Sequence, residues 1–399
     1  MTNNNKIQHQ KYYVLAAGVI SLVVLLGIAR FAYTPLIPVM ISASVMSDIS
    51  AGWLATLNYA GYLCGAVLAA TIGDLMLKDK LYRAGLITAI ITTLAMAFTD
   101  NVYLWAFLRF MSGLSSAAGL LIGSGLVLNW LIRNNYRSEL GIHFMGMGLG
   151  IVFTAIACEL MVNQLTWSTQ WIVLGVCAAL LSIPAWRWLP RPHNGTVHSS
   201  GQVLKDKPPS ARFFWLMVMS YFCAGFGYVI SATFTVAMVE RLPGLAGEGQ
   251  LVWLLLGLTA IPAVIYWDKL ARRIGTLYTL LICYLIHIIG IVLPLFSQTL
   301  TAAIVSGMLY GATFIGIVGL VLTMAGRFYP TKPAKLMGKL TLSYGVAQII
   351  APAIAGYMAA QTGQYSAALF MAAIMMVLGT ILLLILIYTE RHDLKALDA

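Results

Sequence analysis

The sequence is poor in charge: only 9% of its 399 residues are Asp, Glu, Lys or Arg, against 60% hydrophobic. A soluble domain carries about 25% charged residues because its surface faces water, so an ordinary soluble protein is excluded. Cysteine is scarce too. The five (Cys64, Cys158, Cys177, Cys223, Cys283) lie far apart inside apolar segments, which argues against a disulfide framework and for small packing residues. Zinc-ligand spacing, a Gly-rich phosphate loop and a nucleophile elbow are all missing in any plausible context, and so is a nucleophile–base pair. Enzymatic function, a metal centre and a cofactor are therefore not expected. The 19 methionines include the four-spaced pairs His143/Met147 and Met371/Met375, but methionine in so apolar a chain is read as filler rather than as a copper ligand.

What the chain has is long apolar runs. A membrane-spanning helix needs about 20 mostly apolar residues. Twelve such runs occur, at 13–40, 51–75, 83–99, 102–131, 139–163, 169–189, 213–239, 249–267, 276–296, 299–326, 336–360 and 366–388. They are too long for barrel strands and lack a period-two pattern. The polar start, MTNNNKIQHQKYY, leads into a run longer than a signal-peptide core, and no small-residue cleavage site follows. It reads as a cytoplasmic tail before a first span. The 36 glycines suit close helix approach.

The net charge of +11 is explained by orientation rather than by nucleic acid. Of the 24 Lys and Arg residues, 21 fall in loops that would share one side, from Lys6 and Lys11 through Lys78, Lys80 and Arg83 to Arg391 and Lys395. The opposite loops hold Arg241 beside Asp48, Asp100, Glu240 and Glu248. By the positive-inside tendency both termini are expected in the cytoplasm. The longest connection, 190–212, is polar, basic and rich in Pro, Gly and Ser. It reads as a cytoplasmic linker between two six-helix halves, 1–189 and 213–399.

The halves echo each other. Asp74 and Lys78 follow the second span as Asp268 and Arg272 follow the eighth, and GLVL recurs at 125–128 and 319–322, both at an offset of 194. Parallel six-helix halves around a central cavity describe the major facilitator architecture. The acidic residue with following cations (Asp74, Lys78, Lys80; Asp268, Arg272, Arg273, Gly275) resembles the loop motif of that superfamily, with Leu75 replacing its usual arginine. RFMSGLSSA, with Arg109, Gly113 and Ala117, resembles its intramembrane arginine–glycine motif, and APAIAG, with Pro352 and Gly356, its antiporter motif. GIARFAYTPLIPVM (27–40) and GWLATLNYAGYLCGA (52–66) are similar to the YbfB/YjiJ branch. The resemblance implies an all-α membrane fold of twelve transmembrane helices and transport of a small-molecule substrate. A multi-pass monomer in the lipid bilayer of a cell membrane is expected, the bacterial inner membrane by preference, with protons as the coupling ion and no nucleic acid partner.

Ionisable groups inside spans cost several kcal/mol unless paired or hydrated. Arg30 sits roughly 15 Å from the outer end of its span by helix rise, long for snorkelling, with Tyr33 and Thr34 on its helical face. It is expected to bind a carboxylate-bearing substrate. Arg109, with Gly113 and Ser116 on its face to let a helix or ligand come close, is expected to bind substrate as well. Glu159 is the one carboxylate well within a span and is expected to carry the coupling proton. His143 reads as interfacial, and His287 as peripheral by the resemblance. Asn58 with Tyr62, Tyr228, and Tyr344 with Gln348 complete the expected substrate-binding set. Asp74, Asp268, Arg272 and Arg273 are expected to gate the cycle, the carboxylates by accepting hydrogen bonds from a helix N-terminus in the other half. Two arginines against one glutamate leave a positive excess, which favours an organic anion or zwitterion. The alternatives are efflux of lipophilic cations and a non-transporting receptor on the same fold.

Overall fold

A computed structural model describes residues 3–134, 136, 140–192, 208–328 and 334–389. Its described residues are helical in twelve candidate spans: α1 (His9–Ser42), α2 (Asp48–Thr71), α3 (Leu75–Phe98), α4 (Val102–Leu131), α5 (Gly141–Val162) and α6 (Trp167–Trp188), then α7 (Ala211–Glu240), α8 (Gly249–Ile274), α9 (Thr276–Phe296), α10 (Leu300–Ala325), α11 (Leu336–Thr362) and α12 (Ser366–Thr389). Most of the expected linker, 193–207, lies outside the described residues, as do Arg137, Lys332, Arg391 and Lys395.

Two boundaries differ from expectation by about two turns each: α8 runs on to Ile274 instead of ending at 267, and α3 begins early. Residues 76–82, read as loop from their charges, lie in the first two turns of α3, which starts at Leu75. Asp74 caps that helix by accepting a hydrogen bond from the Met76 amide at 2.9 Å. The cap supplies one of the four orphan amides of a helix start, and that outweighs the polarity of the segment.

The chain divides into two compact units, 1–46 with 57–201, and 47–56 with 202–399. The first turns of α2, which the sequence assigned to the N-terminal half, group with the second unit. In the first unit the core is α1. Every residue of Val23–Phe31 is buried. Glycines let its neighbours close in: a Cβ on Gly27 would lie 2.5 Å from the Gly150 Cα of α5, and one on Gly113 of α4 would run into the Asn58 carbonyl of α2. In the second unit the core is α7, which buries most of its length. There, a Cβ on Gly225 would lie 2.7 Å from the Tyr344 carbonyl of α11.

Three spans depart from α geometry, α3 only in its last 3-10 turn, Met96–Phe98. Val23–Phe31 of α1 and Ala118–Gly123 of α4 are π-helical, so that the Ala32 amide bonds the Gly27 carbonyl five residues back, at 2.8 Å. Such stretches are uncommon and recur at functional sites.

Candidate functional site

In the first unit the π-helical stretch of α1 faces a polar stripe on α4. Arg109, Ser112 and Ser116 recur at helical spacing. The Ser112 hydroxyl donates to the Ala29 carbonyl at 2.6 Å and Arg109 Nη1 to the same oxygen at 3.1 Å. The Ser116 hydroxyl donates to the Leu25 carbonyl at 2.8 Å. A π stretch offsets the ordinary backbone pairing, and α4 supplies side-chain donors along it. The Asn58 amide of α2 donates to the Arg109 carbonyl at 2.9 Å and to the Ser112 hydroxyl at 3.3 Å.

The residue after Ala29 is Arg30, and only 6% of it is exposed. Its guanidinium lies 4.3 Å from the centre of the Tyr59 ring, 4.9 Å from Tyr62 and 5.8 Å from Phe31. Arg109, 3% exposed, lies 4.2 Å over Tyr33, whose hydroxyl points to the Met46 sulfur at 3.4 Å. Aromatic faces attract such cations, most when water is excluded. The two guanidinium groups are close enough to act on each other electrostatically. Arg109 Nε and Asn58 Oδ1 are buried without hydrogen-bond partners among the described residues. Thus Arg30, Tyr33, Asn58, Tyr62 and Arg109, singled out from the sequence, come together. Tyr59 and Ser112 join them. Tyr59 had a detectable signal, since it stands three residues before Tyr62, on the same helical face.

Glu159 does not join them. It is exposed, as are Ile156 and Leu160 beside it near the end of α5. His143, expected at the interface, is fully buried, with Nε2 2.9 Å from the Ser124 hydroxyl. The reason is its position on the packed side of α5, opposite Glu159.

In the second unit Tyr228 and Tyr344 also meet. Tyr228 stacks with Phe314 at 5.4 Å and Tyr310 at 6.3 Å, and lies 5.7 Å from Tyr344. Tyr344 in turn stacks on Tyr221 at 4.4 Å. One turn beyond Tyr344, Gln348 is buried with its Oε1 lacking a hydrogen-bond partner among the described residues.

The four expected gating residues lie elsewhere. Asp74 is exposed and caps its own following helix. Asp268 pairs with Arg272 at 2.5 Å, both largely open to solvent, and Arg273 is exposed. The buried ion pair in that region of the first unit is one the sequence reading missed. Asp79 binds Arg83 at 3.0 Å, and Arg83 also donates to the Trp186 and Leu189 carbonyls at the end of α6. The i, i+4 spacing of the two was its available signal. In the second unit, Asp48 at the start of α2 accepts from Arg241 at 2.6 Å and from the Tyr365 hydroxyl at 2.9 Å.

Twelve apolar helices, with arginines inside the spans held by aromatic rings and a carbonyl, mark a polytopic membrane protein. The chain belongs to the family described as "Uncharacterised MFS-type transporter YbfB", whose model matches residues 22–384. Among curated proteins it is similar to the uncharacterized transporter YebQ of Escherichia coli (strain K12), at 25% identity over 43% of this chain and 32% of that protein. It is also similar to the efflux pump radE of Floropilus chiversii, at 24% identity over 46% and 34%. These matches span about a third of each relative's length. Among solved structures, the nucleoside transporter NupG superposes with a TM-score of 0.72 at 12% identity, covering 95% of this chain and 98% of that one. A bacterial homologue of the human lysosomal transporter Spinster gives 0.63 at 15% identity, covering 94% and 95%. Likeness at such identity establishes the fold alone.

Proposed function

We propose that this transporter moves a small organic anion or zwitterion by alternating access, coupled to protons, with Arg30 as the group that meets the substrate's negative charge. The observation that carries this reading is the burial of two guanidinium groups side by side within one unit, held by rings and carbonyls. Arginine keeps its charge at any physiological pH, so both cations remain in an apolar span. An arriving carboxylate would offset their mutual repulsion, and the planar fork suits it. Arg109 is a positioning residue, because its donor to the Ala29 carbonyl fixes the backbone next to Arg30. Tyr33, Asn58 and Tyr62 shape the same cluster, and Tyr228, Tyr344 and Gln348 offer ring faces and an amide in the other unit.

Asp74, Asp268, Arg272 and Arg273 are assigned to the conformational cycle rather than to substrate. Glu159, exposed and apart from the arginines, is the less favoured proton carrier. If Glu159→Gln retains flux that a protonophore abolishes, it carries no coupling proton. The chain works as a monomer of two six-helix halves in a bacterial inner membrane, its termini cytoplasmic.

A thermal-shift screen of organic acids on the purified protein finds the ligand, since binding to the folded state raises apparent stability. Flux of that ligand into proteoliposomes then tests the site. Arg30→Ala is expected to abolish it and Arg30→Lys to impair it less, because a point charge without the planar fork is retained. Unchanged anion flux in Arg30→Ala, or transport of cations only, overturns the reading. Efflux of lipophilic cations would instead call for a carboxylate among the rings, and neither Glu159 nor the ion-paired Asp79 supplies one there.

A further inference from the structure

The outer side of α6 changes character at its last turn. Val176, Leu180 and Ile183 are exposed and follow one another at four and three residues, so they share one helix face. Arg187 stands four residues further along that face and is exposed as well. From Val176 to Arg187 the helix rises roughly 16 Å, close to one leaflet of a hydrocarbon core about 30 Å thick. An apolar stripe of that length ending on a guanidinium has the dimensions of an acyl chain below its headgroup.

Aromatic rings flank this arginine. Trp186 and Trp188 stand on either side of it in sequence and are exposed, as is Tyr13 of α1. Tyr13 and Trp188 meet edge to face with ring centres 5.2 Å apart, which sets the start of α1 beside the end of α6. Such rings collect where a membrane meets water, their bodies apolar and their tips polar. The Tyr13 hydroxyl and the Trp188 indole nitrogen have no hydrogen-bond partner among the described residues, and Arg187 makes no ion pair or hydrogen bond there. Arg187 and Trp188 can only donate, and Tyr13 can donate too, so the group they suit carries acceptor oxygens. Arg83 donates to the Trp186 and Leu189 carbonyls and fixes the helix end that presents them, so little ordering is left to binding.

We propose that this face of the first unit, α6 with the start of α1, binds an anionic phospholipid. The phosphate meets Arg187, the glycerol and ester region lies against Trp188 and Tyr13, and one acyl chain follows Ile183, Leu180 and Val176. Charge decides for an anionic headgroup. Arg83 packs over Trp186 at 4.9 Å and Lys11 over Tyr136 at 5.2 Å, so the starts of α1 and α3 and the ends of α4 and α6 meet at this end of the unit. Lys11, Lys78, Lys80, Arg133, Arg187 and Arg191 stand there against two carboxylates among the described residues. Those two are engaged, Asp79 by Arg83 and Asp74 as the cap of α3. Basic faces between membrane helices attract anionic headgroups, whereas the ammonium of a zwitterionic one would meet like charge. The stripe decides for a lipid over a free phosphate. This inference concerns lipid rather than cargo and stands apart from the transport reading.

The test is native mass spectrometry of the full chain, stripped of lipid in detergent and then given phosphatidylglycerol, phosphatidylcholine or glycerol 3-phosphate at equal concentration. The wild-type protein is expected to retain one phosphatidylglycerol, bound about tenfold or more tighter than phosphatidylcholine, and no glycerol 3-phosphate. Arg187→Gln is expected to bring the two lipids within about threefold of each other. Arg187 is exposed, so the variant keeps its fold. Arg212→Gln removes the same charge from an exposed position at the start of α7 in the second unit and is expected to leave the preference intact. Equal retention of the two lipids by the wild-type protein overturns the proposal, as does capture of glycerol 3-phosphate as tight as that of the lipid. So does a preference unchanged in Arg187→Gln. An equal loss in Arg212→Gln overturns it too, because the attraction would then belong to the general charge of the protein and not to this face.

Discussion

Gly113 and Gly125 lie on the same helix, and replacing each by alanine should separate packing from helix propensity. At Gly125 an added Cβ meets nothing within 4 Å. Alanine there gains the usual helix-interior preference of about 0.5–1 kcal/mol. At Gly113 the Cβ would overlap the Asn58 carbonyl oxygen and come within 2.8 Å of the Tyr62 amide nitrogen. Both are backbone atoms of α2, so no side chain can swing aside. Gly61 makes the reciprocal approach to the Phe110 carbonyl, and the two helices must therefore move apart as a whole. Overpacking of this kind costs about 1–3 kcal/mol, which is offset only in part by the propensity gain. The propensity gain is common to both, so the two variants should differ by the overpacking cost of about 1–3 kcal/mol, Gly113→Ala being the less stable. In units of this size each kcal/mol shifts the melting midpoint by about 2–4 °C, so the gap is about 2–12 °C. Apparent midpoints come from heating the purified protein in detergent and measuring the monodisperse fraction. If Gly113→Ala and Gly125→Ala melt within about a degree of each other, the close approach of α2 and α4 is not a packing constraint.

Asp48→Asn should lower stability by about 1–2 kcal/mol, between the values for exposed and buried pairs, because Arg241 and Tyr365 lose a charged acceptor. A double-mutant cycle with Arg241→Gln should return a coupling energy of at least about 0.5 kcal/mol, and additive effects would refute the pair. Asp79→Asn should cost about 3–5 kcal/mol by leaving Arg83 buried without its counter-charge. The double change Asp79→Leu with Arg83→Met should recover most of that loss, as read by the same melts. Asp268→Asn, at an exposed pair, should change stability by less than about 1 kcal/mol and yet slow transport with ligand affinity unchanged. A large loss of affinity with normal turnover would remove Asp268 from the conformational cycle.

The twelve spans were legible because length and hydropathy alone set them, and the bilayer demands both. The arginine cluster was half legible. An arginine in an apolar span announces itself by cost, and Tyr62 and Asn58 by their spacing. The π-helical stretches were not, because VVLLGIARF has nothing in composition to set it apart from an α-helix. Glu159 shows the other limit. In a membrane helix both faces are apolar, one toward lipid and one toward protein, so periodicity cannot say which of them a lone carboxylate occupies. His143 was misplaced for the same reason, and the Thr313 hydroxyl that His287 meets lies on another span, out of reach of any local pattern.

The π stretch of α1 bears on how relatives are compared. A π turn is what a helix adopts when it takes in an extra residue while its flanks keep their packing. In a plain α-helix one inserted residue turns everything beyond it by about 100°, which would rotate Tyr33–Ser42 out of place. Here the surplus is absorbed between Val23 and Phe31, and α4 holds it with Ser112, Ser116 and Arg109. Family members can thus differ by one residue in this span with both of its ends in register. A gap belongs inside these nine residues, and an ungapped alignment of such a pair would match the wrong residue to Arg30.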